Sequence, residues 1–170
     1  MANFLDIVNE DDKIVGKATF KEAHQQNLLH RFTRILVVNN DGDFVLHTRP
    51  PHYTDAHKLD SAGGHVEFGE SYINGALREL EEEMGITVSA DDLNLLGNIR
   101  YKNLESPYPE NMIGQAFFVK HNGPYTAQVE EVGENWVTIS PKELEDTINK
   151  NNSKISRKVI ASFKHWNHIK

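Results

Sequence analysis

Residues 64–86 of this chain read GHVEFGESYINGALRELEEEMGI, and no other segment of the sequence is as informative about the fold. Apolar residues recur in it at the three- and four-residue steps of an amphipathic helix, at Ile73, Ala76, Leu77, Leu80 and Met84. Gly85 follows the last of them, and glycine is the commonest residue just past a helix end. The spacing therefore predicts one helix that packs its apolar side on a core and ends at Met84.

The C-terminal end of this predicted helix carries four glutamates within positions 79–83. At about 100° per residue, Glu79, Glu82 and Glu83 share one flank, whereas Glu81 lies on the other side of the apolar stripe and is expected to be solvated. Carboxylates in a last turn oppose the helix dipole and repel one another. Three clustered oxygen donors suit Mg²⁺ or Mn²⁺, so the flank is either a metal site or an acidic solvated face.

The loop before the helix favours the metal site. Gly63 and Gly64 follow the strand-like segment KLDSA, and glycines let the backbone approach a metal or a phosphate closely. Glu70 lies near the helix start, where its carboxylate can pair with Arg78 and hold the loop against the helix.

These residues resemble the Nudix family, whose box is a glycine, five residues, a glutamate, seven residues and then Arg-Glu-apolar-any-Glu-Glu-any-Gly-apolar. Every defined position matches, from Gly64 to Ile86. The resemblance implies an α/β fold, a Nudix-type α/β/α sandwich with a mixed β-sheet and a loop-helix-loop catalytic motif. It implies a pyrophosphohydrolase, which cleaves a diphosphate linkage in a nucleoside diphosphate derivative or a related small metabolite.

The resemblance also implies the cofactor, Mg²⁺ or Mn²⁺, and the residues that serve it. The implied metal ligands are Glu79, Glu82, Glu83 and the carbonyl of Gly63. Arg78 and Glu70 are implied as the catalytic ion pair that orients the loop and the helix. Metal ions in such a site bridge diphosphate oxygens, neutralise developing charge and lower the pKa of an attacking water.

Further site residues are expected outside the box. Family members often place one more glutamate in a late loop before a strand that bears a tryptophan, which here precedes Trp136. The resemblance therefore implies Glu130 or Glu131 as a further metal ligand or as the catalytic base that activates water. Arg49 and Lys58 lie in segments that flank the box, and their cations could bind a diphosphate or simply be solvated at the surface.

The N-terminal half, residues 6–49, resembles the isopentenyl-diphosphate isomerase branch of this family, which moves protons on an alkene. That isomerase needs a cysteine two residues before a histidine, but Gly63 stands at that position before His65. Its Glu-Asn-Glu motif reads Glu110-Asn111-Met112 here. Because the thiol and one carboxylate are missing, we favour the hydrolase, and keep the isomerase and a catalytically silent metabolite-binding module as alternatives.

The sequence leaves open whether three histidines form a second metal site. His24 and His30 are plausible matches for two metal-binding histidines of the isomerase, and with His65 they would form a second metal site. The other interpretation, which the sequence alone favours, makes His24 and His30 ordinary residues of a helix and a strand edge.

Composition agrees with a small enzyme that forms a single Nudix hydrolase domain over residues 1–170. The chain has no cysteine, which excludes disulfides and thiol catalysis, and a net charge of −7, which argues against broad nucleic-acid binding. With no signal peptide or long apolar run evident, we expect a cytoplasmic protein that does not bind membranes. Its expected partners are a small diphosphate substrate and, by default, a second copy in a homodimer.

Outside the box, the sequence pattern predicts short strands mixed with a few helices. The predicted strands span 4–8, 14–18, 34–38, 44–48, 93–101, 113–120 and 135–139. The predicted helices span 20–27 and 153–166, with a further one that opens at Ser140.

Overall fold

The computed structural model describes residues 4–105, 108–128, 132–133, 135–150 and 153–166. Its strands are β1 (Phe4–Val8), β2 (Ile14–Thr19), β3 (His30–Val38), β4 (Phe44–Thr48), β5 (Leu59–Asp60), β6 (Asn94–Asn103), β7 (Glu110–Lys120) and β8 (Trp136–Ile139). Its helices are α1 (Phe20–Gln25), α2 (Tyr72–Met84), α3 (Pro141–Asn149) and α4 (Arg157–Trp166), with a short 3₁₀ turn at Ala90–Asp92.

The described strands form one mixed sheet around β3. The order β2-β1-β3-β4-β5 is antiparallel, β7 lies parallel to β3, and β6 and β8 add to β7 and β4. The parallel ladder runs the whole length of β3, from His30 opposite Met112 to Val38 opposite Lys120. This ladder explains why β3 begins earlier than the sequence pattern predicts, since pairing extends the strand beyond its most apolar residues. Pairing with β6 likewise extends β7 back to Glu110.

Alternate residues of β3 face opposite layers of the molecule. Ile35 packs in one apolar cluster with Leu80 of α2, whereas Leu36 packs in another with Val159 and Phe163 of α4. A strand covered on both faces carries apolar residues in succession, as β3 does from Ile35 to Val38. Helices on both faces of a mixed sheet confirm the predicted α/β/α architecture.

Helix α2 begins and ends as the sequence predicts. The Ser71 hydroxyl caps it by accepting the Asn74 N–H at 3.1 Å, and Gly85 ends it in the left-handed region at φ 65°. Ala76, Leu80 and Met84 are buried against the sheet. The last turn, which carries the glutamates, is therefore held in a fixed position beside β3.

Strands β3 and β4, which follow each other in the chain, pair at only two positions, Val37 with Val45 and Val38 with Phe44. Earlier along β3, the N–H groups bond instead to the loop before α2: Thr33 donates to the Gly64 carbonyl at 2.9 Å and Ile35 to the Ala62 carbonyl at 2.8 Å. The loop thus takes the place of a strand at this edge, which fixes it next to α2.

A buried ion pair fastens the start of that loop. Asp60 contacts Arg34 and accepts from Arg49 at 2.8 Å and from the Ser156 hydroxyl at 2.7 Å. Burial by itself raises the pKa of Asp60, but the two guanidinium groups outweigh it and hold that pKa well below its ordinary value. Asp60 is therefore a buried carboxylate that stays charged because its partners are cations.

None of the helices that the structure describes could cross a membrane, since the longest, α2, has only 13 residues and is not apolar enough.

We expect Asp60→Asn to lower the free energy of unfolding by about 3–5 kcal/mol at neutral pH, because it leaves Arg34 buried without its counter-ion. The folded-state pKa of Asp60 is lowered, so its contribution is present above the unfolded value near 3.8 and is lost as the pH falls below it. Urea unfolding measures this loss, with the exposed Asp41→Asn as the matched control. Equal stability of the two variants would contradict it.

Candidate functional site

The loop before α2 is locked between β3 and the helix at Gly63. Its N–H donates to Glu83 Oε2 at 2.7 Å, and its carbonyl accepts from Arg34 Nη1 at 2.7 Å. Gly63 has a φ of 135°, and a Cβ there would lie 2.3 Å from the Thr33 carbonyl oxygen. Because any side chain at this position collides with β3, the loop depends on glycine.

The glutamates of α2 lie on the two sides of the helix that their helical angles predict. Glu79 and Glu83 are buried, Glu82 is partly exposed and Glu81 is exposed. Glu79 and Glu83 lie near the glycine loop, since a Cβ on Gly64 would meet Glu79 Oε1 and Glu83 accepts the Gly63 N–H. The structure therefore gathers Glu79, Glu82 and Glu83 on one flank and leaves Glu81 in solvent.

A single guanidinium connects this flank to the loop. Arg78 Nη1 donates to Glu79 at 2.8 Å and to Glu82 at 3.0 Å. Its Nη2 donates to the His65 carbonyl at 2.8 Å and to Glu70 Oε2 at 3.2 Å. Glu70 also accepts the Glu67 N–H, so the pair of Arg78 and Glu70 holds the loop on the helix.

The two buried glutamates have raised pKa values. Burial raises the pKa of Glu83, and the nearby Glu79 carboxylate raises it further, against the opposing effect of Arg34. Burial also raises the pKa of Glu79, although Arg78 acts in the opposite direction. Without a further cation the cluster holds protons tightly, and a divalent ion would displace them.

The carboxylate flank opens into a cavity of about 800 Å³. Of the residues expected at the site, those that line this cavity are Gly63, Arg78, Glu79, Glu82, Glu83 and Arg49. Lys58 is not among the described residues that line it, and its ammonium pairs with Asp55 at 2.7 Å. Glu130 and Glu131 lie outside the described residues, so their role as metal ligand or base stays a prediction.

Arg49 presents a fixed cation to the cavity. Its Nε donates to the Thr54 carbonyl at 2.7 Å and its Nη1 to Asp60 at 2.8 Å. Burial lowers the pKa of Arg49, while the carboxylates of Asp60, Glu83 and Glu110 raise it. The side chain is therefore held by the same aspartate that fastens the loop.

The structure brings together the three histidines for which the sequence left open a second metal site. One ring nitrogen from each of His24, His30 and His65 lies within 4.8 Å of the others. His24 and His30 each use Nδ1 to bond a backbone carbonyl, of Pro109 and Leu28, at 2.8 Å. The Nε2 atoms of these two rings are therefore free of the backbone. His24 Nε2 lies 3.2 Å from His65 Nε2. His30 Nε2 is buried without a hydrogen-bond partner among the described residues.

Burial keeps these imidazoles neutral. It lowers the pKa of His24, lowers that of His30 to about 4, and lowers that of His65 well below its ordinary value. Neutral imidazoles that donate Nδ1–H to a carbonyl present an Nε2 lone pair, which is the arrangement of metal-binding histidines. Met112, which stands where the isomerase has a carboxylate, is buried in the core.

Among the cavity residues that the sequence did not indicate is one cation. Lys158 of α4 lines the same cavity as the α2 glutamates, with Nζ 2.6 Å from Glu110 Oε1. It lies far from the box in sequence and belongs to no motif, so only the packing of α4 on the other face of the sheet brings it here. An amphipathic pattern in α4 predicts its packing but not this contact.

The family model described as NUDIX domain matches residues 28–163 of the chain. An uncharacterized Nudix hydrolase of Yersinia pestis is 31% identical over 138 residues, which cover 77% of this chain and 70% of the relative. The isopentenyl-diphosphate Delta-isomerase of Serratia proteamaculans is 26% identical over 161 residues, which cover 92% of this chain and 87% of the relative. Both branches that the sequence resembles are thus represented among its relatives.

Solved structures of low sequence identity share the fold. DR0079 from Deinococcus radiodurans superposes with a TM-score of 0.70 at 19% identity and covers 90% of this chain and 93% of its own. The MutT protein from Methanosarcina mazei Go1 gives a TM-score of 0.67 at 21% identity, with 82% and 94% covered.

In chelator-treated protein, we expect Glu83→Gln to raise the free energy of unfolding by about 1 kcal/mol or more at neutral pH, because it removes a buried carboxylate next to Glu79. The folded-state pKa of Glu83 is raised, so the wild type loses stability as the pH rises above the unfolded value near 4.5, and the variant does not. Adding Mn²⁺ should then raise the Tm of the wild type more than that of the variant.

Thermal unfolding with and without Mn²⁺ measures both effects, and the exposed Glu81→Gln is the matched control. A variant that is less stable than the wild type in chelator, with an unchanged Mn²⁺ response, would count against a cation at this cluster.

Proposed function

This chain belongs to the Nudix family and is a Nudix hydrolase, and from that premise we propose that it cleaves a diphosphate linkage with a bound divalent metal ion. The proposed substrate is a nucleoside diphosphate derivative or a related small metabolite. The observation that carries the proposal is the pair of buried carboxylates, Glu79 and Glu83, with raised pKa values at the wall of a large cavity.

The donor set fits Mg²⁺ or Mn²⁺. Glu79, Glu82 and Glu83 offer hard carboxylate oxygens, and the Gly63 carbonyl has a second lone pair besides the one that Arg34 uses. When bound, such a cation neutralises charge on the diphosphate oxygens and acidifies a water. The chain itself positions the loop and the substrate. Arg78 and Glu70 hold the loop on the helix, and Arg49 faces the substrate as a fixed cation.

The geometry at Gly63 argues against isomerase chemistry. The isomerase needs a thiol acid/base there, and this chain has no cysteine. A side chain at this position would also meet the Thr33 carbonyl at 2.3 Å in this backbone. The loop is therefore built to bring its backbone near the carboxylates instead of presenting a side chain.

The three histidines support a second metal site, distinct from the carboxylates. His24, His30 and His65 place ring nitrogens within 4.8 Å of one another, and carbonyls orient two of the rings. Imidazole ligands suit Zn²⁺ and related transition metals. Since His24 and His65 line the same cavity as the α2 glutamates, a metal there would lie close to the substrate.

Glu83→Gln should abolish Mg²⁺-dependent phosphate or nucleotide release while the fold survives, because the cation loses a central ligand. The assay is a panel of nucleoside triphosphates, dinucleoside polyphosphates, nucleotide sugars, coenzyme A, NADH and prenyl diphosphates, with Mg²⁺ or Mn²⁺. Glu81→Gln is the control and should keep wild-type activity, since Glu81 is exposed on the other side of α2. Full activity of the Glu83→Gln variant would contradict the assignment of the metal site.

The same panel separates the alternatives. Deuterium uptake into isopentenyl diphosphate from heavy water would establish the isomerase. A wild-type protein that turns over nothing in the panel would favour the silent metabolite-binding module.

The wild type and the Glu83→Gln variant should bind Co²⁺ or Zn²⁺ equally well, and His30→Asn should weaken that binding by about tenfold or more. Titration of chelator-treated protein with Co²⁺, followed by absorption and by metal content, measures this. His57→Asn is the control, because His57 is exposed on another loop. Equal Co²⁺ affinity of the two histidine variants would dismiss the second site.

A cytoplasmic location, a homodimer and the absence of membrane binding remain part of the proposal as predictions from the sequence.

A further inference from the structure

Lys158 is a largely buried cation at the wall of the cavity. It is the second residue of α4, and its side chain is only 14% exposed. Its Nζ lies 2.6 Å from Glu110 Oε1 and 5.5 Å from the centre of the Tyr101 ring. The helix begins here, so a cation at this position opposes the helix dipole, and its placement has to be explained by something other than helix stability.

The ion pair with Glu110 does not use the full capacity of this ammonium. A lysine carries three N–H donors, and Glu110 Oε1 accounts for one of them. By contrast, Arg78 divides its donors among three glutamates and a carbonyl, and Arg49 is bonded to Thr54 and Asp60. Among the residues that the structure describes, Glu110 is the acceptor that pairs with the Lys158 ammonium, which leaves donors for a ligand in the cavity.

Arg49 shares this cavity with Lys158 and with the α2 carboxylates. Arg49, Lys158, Glu79, Glu82 and Glu83 all line the same space, which has a volume of about 800 Å³. The wall therefore offers two cations, Arg49 and Lys158, besides the carboxylates that would hold a metal ion. Separate cations around one cavity suit a ligand with more than one phosphoryl group.

We propose that Lys158 is a specificity-determining residue that binds a phosphate oxygen of the substrate, beyond the phosphoryl groups at the α2 glutamates and Arg49. The proposal rests on the hydrolase function and narrows its substrate class to compounds with an extended anionic phosphate chain. Glu110 then acts as the competing counter-ion that holds the ammonium in place when the cavity is free of substrate.

The probe is diimidotriphosphate, an inorganic triphosphate analogue whose P–N–P links resist hydrolysis, titrated calorimetrically in the presence of Mg²⁺. Lys158→Met should weaken its binding by about tenfold or more, and Lys158→Arg should retain most of it. Lys164→Met is the matched control, because Lys164 is exposed on the same helix. Glu110→Gln should tighten binding, since the ammonium loses its competitor.

The double variant Lys158→Met with Glu110→Gln separates binding from a purely structural role. It leaves no unpaired buried charge, so it should fold even if Lys158→Met alone does not, and it should bind the analogue as weakly as Lys158→Met. Wild-type affinity in the double variant would overturn the proposal, because Lys158 would then serve only to neutralise Glu110. Absence of binding by the wild type would overturn it as well.

The outcome for Lys158 is distinct from that for the hydrolase function. If the wild type binds the analogue through Lys158 but releases no phosphate or nucleotide from any compound of the panel, the binding site stands and the hydrolase function fails.

Discussion

The site depends on one buried cross-link between the sheet and the loop before α2. Arg34, on β3, pairs with Asp60 at the start of that loop and donates to the Gly63 carbonyl at 2.7 Å. Asp60 in turn holds Arg49, which faces the cavity. A buried ion pair is a weak source of net stability, but its geometry is strict. Its effect here is to fix the loop backbone and one cavity cation relative to the same strand.

The carboxylates of α2 lie at positions where they lower the stability of the folded protein. Glu79 and Glu83 are buried, repel each other and hold their protons more tightly than ordinary glutamates. Arg78 offsets only part of this charge, because it also serves Glu70 and the His65 carbonyl. A cluster that resists ionisation without a cation is the arrangement expected of a site whose function requires one.

The cavity is built from both faces of the sheet. Helix α2 covers one face and contributes the glutamates, whereas α4 covers the other and contributes Lys158. The histidines come from α1, β3 and the loop, and His24 and His65 reach the same space. Carboxylates, imidazoles and fixed cations therefore meet in one cavity, although each group is held by a different element.

The sequence was enough to predict α2, its end at Gly85, the flank of Glu79, Glu82 and Glu83, and the fold class, because these follow from local periodicity and from a motif of fixed spacing. It left two interpretations of His24, His30 and His65 and contained no motif for Lys158. The contacts of these residues join segments far apart in the chain, and they arise from the parallel pairing of β3 with β7 and from helix packing on both faces. Long-range pairing leaves no local pattern, so these contacts are visible only in the folded chain.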